Sequence, residues 1–157
     1  MKQLRYVCEV KVCGLDELSS SDRELVEAAR MASFSSYSPY SGFAVGAAVR
    51  LSGGAVVTGS NQENVAYPSG LCAERTALFS ASVQYPDCAI EVLALAGRTS
   101  EGFTEHPCTP CGACRQVLAE CERRQGGRTI RLLLCGGSEV YQVEEGAKAL
   151  LPLQFDF

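Results

Sequence analysis

Three cysteines and one glutamate have the types and spacing to do metal chemistry. Cys111 and Cys114 form a C-x-x-C pair, and Cys72 stands two residues before Glu74. Thiolates three positions apart at the start of a helix can reach one metal ion at about 2.3 Å, and the exposed backbone N–H groups there stabilise them. Three protein ligands with an open fourth position are typical of catalytic zinc, whereas structural zinc normally has four. For the C-x-x-C pair alone, a redox dithiol and two buried thiols remain alternatives.

The cysteine and histidine counts narrow the kind of site. The chain has nine cysteines, one histidine and no tryptophan. An odd number of cysteines without an export signal argues against a secreted disulfide framework, so we expect a cytoplasmic protein. A single histidine, His106, excludes sites that need two or three imidazoles. Five further cysteines are interpreted as small buried hydrophobes: Cys8, Cys13, Cys88, Cys121 and Cys135.

Charge and hydropathy exclude two kinds of partner. The net charge is −4, and no basic or aromatic track suits a nucleic-acid strand, so a polynucleotide is not expected as a partner. No apolar run approaches the roughly 20 residues that a membrane-spanning helix needs, so no membrane is expected. These features favour a small ligand.

The elements that must position the cysteines follow from hydrophobic periodicity and turn residues. Strands are predicted at 3–13, 43–51, 55–59, 90–96 and 129–135, and helices at 19–36, 72–84, 112–124 and 143–150. This order predicts an α/β fold with helices on a mixed, roughly five-stranded sheet. We expect one domain over residues 1–157, in which residues 1–18 are an N-terminal extension.

Four segments resemble the motifs of one enzyme family. They are YSGFAVGAA at 40–48, NQENVAYP at 61–68, CAERTA at 72–77 and PCGACRQ at 110–116. Their order and content resemble the small three-cysteine cytidine deaminases, and the similarity extends over about residues 37–155. The resemblance implies a three-layer α/β/α sandwich and one Zn²⁺ per subunit, held by Cys72, Cys111 and Cys114. It also implies a homotetramer with shared active sites.

The resemblance also gives Glu74 a catalytic role. In this chemistry zinc activates a water molecule, and the glutamate beside the first cysteine carries protons to the cytosine ring and to the departing ammonia. For an isolated glutamate, a solvated charge in the first turn of a helix is the alternative. Three thiolates on Zn²⁺ leave a net negative charge, which two helix N-termini and Arg75 are expected to offset. A surface ion pair is the alternative for Arg75.

Substrate-binding residues follow from the same resemblance. Asn61 and Glu63 point the same way on an extended backbone and suit a ribose hydroxyl, although both could instead cap a loop. Phe155 is implied to reach a neighbouring subunit's site, with a terminal hydrophobic plug as the alternative. The full implied set is Phe43, Asn61, Glu63, Ala66, Tyr67, Ala73 and Phe155.

Two positions depart from the family pattern, and only the second affects the choice of metal ligands. Ala44 stands where the family often has proline, and Cys108 forms a second P-C-x-x-C with Cys111. On spacing alone, Cys108 and Cys111 could be the metal ligands. Because residues 112–116 match the family motif, we assign Cys111 and Cys114.

The function implied is zinc-dependent hydrolysis of cytidine, and of 2′-deoxycytidine, to the uridine nucleoside and ammonia. Within this class the alternative substrate is another cytosine-containing small molecule, such as a nucleoside antibiotic. Outside the class, a structural zinc module and a dithiol redox protein are the alternatives.

Overall fold

A computed structural model describes residues 1–155 of the chain. The strands are β1 (Lys11–Gly14), β2 (Ala44–Leu51), β3 (Val56–Ser60), β4 (Ile90–Thr99), β5 (Gly102–Phe103), β6 (Arg131–Cys135) and β7 (Glu139–Val143). The helices are α1 (Ser20–Ala32), α2 (Ala73–Gln84), α3 (Gly112–Arg124) and α4 (Gly146–Leu150). Among the described residues no helix combines the length and apolar character needed to cross a membrane.

The strands form one mixed sheet in the order β1-β7-β6-β4-β2-β3, and β5 pairs with β4. Only β4 and β6 pair in parallel; the other ladders between named strands are antiparallel. A parallel pair requires a crossover connection, and here the crossover between β4 and β6 contains α3. The connection that carries Cys111 and Cys114 therefore starts and ends in the centre of the sheet.

Helices cover both faces of the sheet. Successive residues of β4 point to opposite faces, as the pleat requires: Val92 and Ala94 pack with α1, whereas Leu93 and Leu95 pack with α2, α3 and α4. This arrangement confirms the three-layer α/β/α sandwich. It also brings α2 and α3 together on one face.

The sheet differs from the sequence prediction at its edges. The predicted strand at 3–13 is reduced to Lys11–Gly14, and residues 1–10 are exposed and in no strand. Two strands were not predicted, β5 and β7, so the sheet has seven strands and not about five. Because Val143 ends β7, the last helix starts at Gly146 and not at Val143. The alternation at 3–10 was misleading, since no strand among residues 1–155 pairs with that segment.

The prediction that the five other cysteines are buried was only partly right. Cys121 and Cys135 are buried in the two core layers, Cys13 and Cys88 are half-buried, and Cys8 is exposed. Cys8 lies in the segment that forms no strand, so no second layer covers it.

The first turn of α1 is tied to the sheet by an ion-pair cluster. Asp22 is buried, and its carboxylate oxygen lies 3.0 Å from Arg50 on β2 and 2.7 Å from Arg131 on β6. Burial alone would raise the pKa of Asp22, but hydrogen bonds from Arg131 and Arg50 outweigh it and hold the pKa below its usual value. The cluster fixes α1 against the central strands.

A glycine on β3 allows α2 to approach the sheet closely. A Cβ atom on Gly59 would lie 2.5 Å from the backbone nitrogen of Ala77 and 2.8 Å from the carbonyl oxygen of Ala73. Any larger residue at this position would push α2 away from the sheet. Because Ala73 is the first residue of α2, Gly59 also fixes the height of the candidate site above the sheet.

Candidate metal centre and active site

The three predicted cysteine ligands meet where α2 and α3 begin. Cys72 is the N-cap of α2, Cys111 is the N-cap of α3, and Cys114 lies in the first turn of α3. The Sγ atom of Cys111 is 3.9 Å from that of Cys72 and 3.5 Å from that of Cys114. All three sulfur atoms lie within 4.8 Å of one another. Sulfur atoms at these separations can bind a single ion at Zn–S distances of about 2.3 Å.

The electrostatics of the cluster favour a thiolate at Cys72. Hydrogen bonds from the Cys114 thiol, the Arg75 guanidinium and the Cys111 thiol lower the pKa of Cys72 to about 5. The same contact with Cys72, together with burial, raises the pKa of Cys114. Binding of a metal ion would therefore displace protons from the remaining thiols. Three soft sulfur donors at two helix N-termini fit Zn²⁺.

Arg75 lies where the sequence predicted it. Its Nη2 atom donates to the Cys72 Sγ atom at 3.6 Å, and the negative charge that collects on Cys72 raises the pKa of the guanidinium. Its Nε atom is buried, with no hydrogen-bond partner among the described residues. The positive charge of Arg75 is therefore directed at the metal centre.

Glu74 is buried beside the sulfur atoms. It is 5% exposed and lies in the first turn of α2. Burial raises the pKa of its carboxyl group, and the negative charge on Cys72 raises it further. Glu74 is not part of the three-sulfur cluster. A buried carboxyl group with a raised pKa is a candidate for general acid–base catalysis.

Cys108 does not join the cluster found among residues 1–155. Its backbone N–H donates to the Cys135 carbonyl at 3.3 Å, and burial raises the pKa of its thiol to about 12. Its side chain packs beside Phe43, where both would contact a Cβ atom on Gly97. The structure thus groups Cys111 and Cys114, and not Cys108, with Cys72.

A cleft of about 440 Å³ opens beside Cys72 and Arg75. Three of the predicted substrate-binding residues line it: Asn61, Glu63 and Tyr67. Sequence reasoning missed several further lining residues, although they fall in or beside the segments that carried the family resemblance: Tyr40, Ser41, Gln62, Asn64, Gly70 and Leu71.

The Asn61 side chain holds the loop between β3 and α2. Its Oδ1 atom accepts hydrogen bonds from the Ser36 hydroxyl at 2.5 Å and the Val45 backbone N–H at 2.8 Å. Its Nδ2 atom donates to the Phe43 carbonyl at 2.9 Å. The loop-capping alternative for Asn61 is therefore present in this structure, with one amide N–H left for a ligand.

Glu63 and its neighbours form the rim of the cleft. The Glu63 Oε2 atom accepts backbone hydrogen bonds from Tyr40 at 2.9 Å and Ser41 at 3.2 Å. A hydrogen bond from the Ser41 side chain, together with these bonds, holds the pKa of Glu63 below its usual value. Tyr67 packs edge-on against Tyr40 with ring centroids 5.8 Å apart, and Ala66 is exposed beside it.

Four other predicted substrate-binding residues do not line this cleft: Ala66, which is exposed next to Tyr67, and Phe43, Ala73 and Phe155. Phe43 lines a second hollow of about 710 Å³ with His106 and Cys108. Ala73 is fully buried under the start of α2. Phe155 is 74% exposed, and its carbonyl accepts a hydrogen bond from Gln116 at 3.4 Å.

A helix-flanked mixed sheet that presents three sulfur ligands and a buried carboxyl group at two helix ends is the construction of a zinc-dependent deaminase. Comparison with known proteins supports this class. A family model described as the cytidine and deoxycytidylate deaminase zinc-binding region matches residues 19–125. The chain therefore belongs to the cytidine and deoxycytidylate deaminase family.

Individual relatives are similar over most of the chain. A cytidine deaminase from Halalkalibacterium halodurans is 46% identical over 100 residues, which are 63% of this chain and 71% of that protein. The crystal structure of cytidine deaminase from Burkholderia pseudomallei is 39% identical with a TM-score of 0.70, and the match covers 84% of this chain and 97% of that one. That from Mycobacterium tuberculosis is 31% identical with a TM-score of 0.67, covering 88% and 100%.

Proposed function

We propose that this protein hydrolyses the 4-amino group of cytidine, and of 2′-deoxycytidine, giving the uridine nucleoside and ammonia. The observation that carries the proposal is the grouping of Cys72, Cys111 and Cys114 within 4.8 Å beside the buried Glu74. One water molecule is consumed: its oxygen replaces nitrogen at C4 of the cytosine ring, and the nitrogen leaves as ammonia.

In this proposal Cys72, Cys111 and Cys114 hold the metal ion and Glu74 moves the protons. Bound zinc supplies Lewis acidity that makes water nucleophilic at neutral pH. The Glu74 carboxylate accepts a proton from the attacking water, delivers it to N3 of the ring, and then carries a proton to the departing amine. The burial that raises the pKa of Glu74 supports this role, because a proton carrier works best when its pKa lies near the working pH.

Arg75 and the helix N-termini offset the charge of the sulfur ligands. Three thiolates and one divalent cation sum to a net negative charge, which weakens the metal as a Lewis acid. The hydrogen bond from Arg75 to Cys72 and the N-termini of α2 and α3 withdraw part of that charge.

The nucleoside is assigned to the cleft beside Cys72. Asn61 and Glu63 are the candidates for the ribose hydroxyls, and their position on the cleft wall supports this. The hydrogen bonds that fix both side chains to the loop give them a defined orientation toward a ligand. The further residues proposed to contact the nucleoside are Phe43, Ala66, Tyr67, Ala73 and Phe155.

We propose a homotetramer in which neighbouring subunits complete each site. Val65 and Tyr67 are 79% and 75% exposed beside the cleft, and Val83 near the C-terminal end of α2 is 81% exposed. Contact of Val65 and Tyr67 with other subunits would cover the cleft, and Phe155 is the candidate contribution from a neighbour. The same proposal treats residues 1–157 as one domain in the cytoplasm, which the nine free cysteines support.

Zinc content and ammonia release test the function together. We expect one zinc ion per chain and ammonia release from cytidine and 2′-deoxycytidine, but not from cytosine, which lacks the sugar. A protein that binds no metal and titrates as a free Cys111/Cys114 pair would support the dithiol redox alternative instead. A protein that binds zinc but releases ammonia from none of the three compounds would support the structural zinc alternative. Activity confined to a different cytosine derivative would overturn the nucleoside assignment alone.

A further inference from the structure

The Arg115 side chain connects two distant parts of the chain. Arg115 lies on α3, one residue after Cys114, and is half-buried. Its Nε atom donates to the Pro110 carbonyl at 2.9 Å, and its Nη1 atom donates to the Leu150 carbonyl at 2.8 Å. Pro110 precedes the ligand Cys111, whereas Leu150 ends α4. We propose that Arg115 is a positioning residue that fixes the Cys111 ligand loop and the C-terminal segment 150–155 against each other.

The contacts around Cys111 show why its position depends on Arg115. Cys111 is exposed, and as the N-cap of α3 it makes no side-chain capping hydrogen bond. The backbone N–H of Arg115 donates to the Cys111 carbonyl at 3.0 Å, while its guanidinium donates to the carbonyl of Pro110. One residue therefore holds both peptide groups that flank the Cys111 side chain. Without the guanidinium, the Pro110 carbonyl loses this donor and the ligand loop can move.

The C-terminal segment is held at both ends by consecutive residues of α3. Arg115 binds the carbonyl of Leu150, and Gln116 donates to the carbonyl of Phe155 at 3.4 Å. Leu150 and Leu151 also pack against the core, but residues 152–155 are exposed, with Leu153 at 79%, so the core contributes little to the position of that part. The first two turns of α3 therefore carry one metal ligand and also hold the segment that ends at Phe155.

The geometry requires a guanidinium. Its N–H groups form a rigid planar fork that can reach two carbonyl oxygens in different directions, whereas the ammonium group of lysine is a compact point charge on a flexible stem. Lysine carries its three donors on one nitrogen atom, so it cannot occupy both positions from which Nε and Nη1 donate. The link therefore depends on shape as well as charge.

Two variants and a matched control test the link in the full-length protein. Arg115→Met removes the donors, and Arg115→Lys keeps the charge but not the fork. Arg124→Met changes an exposed arginine on the same helix, about 13 Å further along its axis. For each protein, the rate of zinc transfer to a chromogenic chelator, the visible spectrum of the Co²⁺-substituted form and amide hydrogen exchange over residues 150–155 are measured.

We expect Arg115→Met to release zinc about tenfold faster, in line with the loss of other groups that orient metal ligands. Its cobalt spectrum should shift, and exchange over 150–155 should accelerate by a similar factor. Arg115→Lys should recover wild-type behaviour in at most one of the two measurements, zinc release or exchange over 150–155. Arg124→Met should match the wild type in both. A variant that lost only overall stability, with an unchanged cobalt spectrum, would overturn the positioning role.

Three other outcomes overturn the link: zinc release by Arg115→Met within twofold of wild type, faster zinc release with unchanged exchange at 150–155, or full recovery of both by Arg115→Lys. If Arg115→Met does not fold, the comparison of Arg115→Lys with Arg124→Met decides. The inference rests on the proposed zinc site, but the two can fail separately. Wild-type protein that binds no zinc or leaves cytidine intact refutes the function, whereas the exchange measurement still reports on Arg115.

Discussion

Replacing the Glu74 carboxyl group by an amide of the same shape isolates its proton-carrying role. Glu74 is buried next to the three sulfur atoms but is not one of them. Glu74→Gln therefore keeps the volume and the metal ligands while removing the titratable proton. The expected result is a zinc-loaded protein with a defect confined to the chemical step.

The size of the defect follows from general acid–base catalysis. Positioned proton transfer typically contributes about 10²–10⁴-fold to the rate, which corresponds to about 2.7–5.4 kcal/mol of activation free energy at 1.36 kcal/mol per tenfold. Because Glu74 is expected to act at more than one proton transfer, the loss for Glu74→Gln should lie at the upper end of this range. The amide carries no charge into the buried site, so thermal stability should not fall.

The assay measures kcat for ammonia release at saturating cytidine, with zinc content measured on the same sample. Glu91→Gln, an exposed acid on β4, is the matched control and should behave as the wild type. Activity of Glu74→Gln within about tenfold of wild type at full zinc occupancy would refute the proton-carrying role. A loss of zinc equal to the loss of activity would instead mean that Glu74 acts through the metal site.

Three further predictions address the metal ligands and the frame that holds them. Cys114→Ala should lose stoichiometric zinc and Cys108→Ala should keep it, because of these two cysteines Cys114 alone has its sulfur in the cluster. Metal analysis of the purified variants checks this, and the reverse result would mean that Cys108, and not Cys114, is the metal ligand. Arg75→Gln should weaken zinc retention by about 10–100-fold, as for other groups bonded to metal ligands, and unchanged chelator competition together with unchanged turnover would remove its role. Asp22→Asn should cost about 1–3 kcal/mol of unfolding free energy at pH 7, from the loss of charged hydrogen bonds. Since the folded pKa of Asp22 is lowered, its stabilisation is complete above the unfolded pKa of about 3.9 and is lost as pH falls through the folded pKa. Denaturant unfolding at several pH values should therefore show that the difference in unfolding free energy between the wild type and Asp22→Asn becomes smaller in acid. A difference independent of pH would contradict this.

The sequence predicts the local part of the site well and its long-range part poorly. Cys72 with Glu74, and Cys111 with Cys114, could be assigned because each pair lies in one short segment that resembles a family motif, and each segment begins a helix. The cleft contacts of Asn61 and the fork of Arg115 could not, because their partners are backbone carbonyls and N–H groups far along the chain. A backbone group has the same chemistry in every residue, so no residue type marks it in advance.

The same distinction explains the errors in the sheet. The central strands β4 and β6 are nearly continuous apolar runs covered on both faces, which is a strong signal. Strand β7, which lies between the edge strand β1 and β6, has five residues of mixed character, and the turn that contains Gly136 connects it to β6. At 3–10 the alternation is present, but no partner strand is found among the described residues. Short strands near the edge of a sheet are therefore determined by what pairs with them as much as by their own residues.

The scarcity of histidine and the environment of Glu74 are two parts of one electrostatic arrangement. A site built from imidazoles would carry the full positive charge of the metal ion, whereas three thiolates reverse its sign. Burial raises the pKa of Glu74 and the negative charge on Cys72 raises it further, which favours the protonated carboxyl group that the proposed mechanism needs as a proton donor. The positive charge of Arg75 acts in the opposite direction on the pKa of Glu74. It also offsets part of the negative charge that would make the metal a weaker Lewis acid. The negative charge on Cys72 and the Arg75 guanidinium therefore act in opposite directions on the protonation of the buried Glu74 carboxyl group.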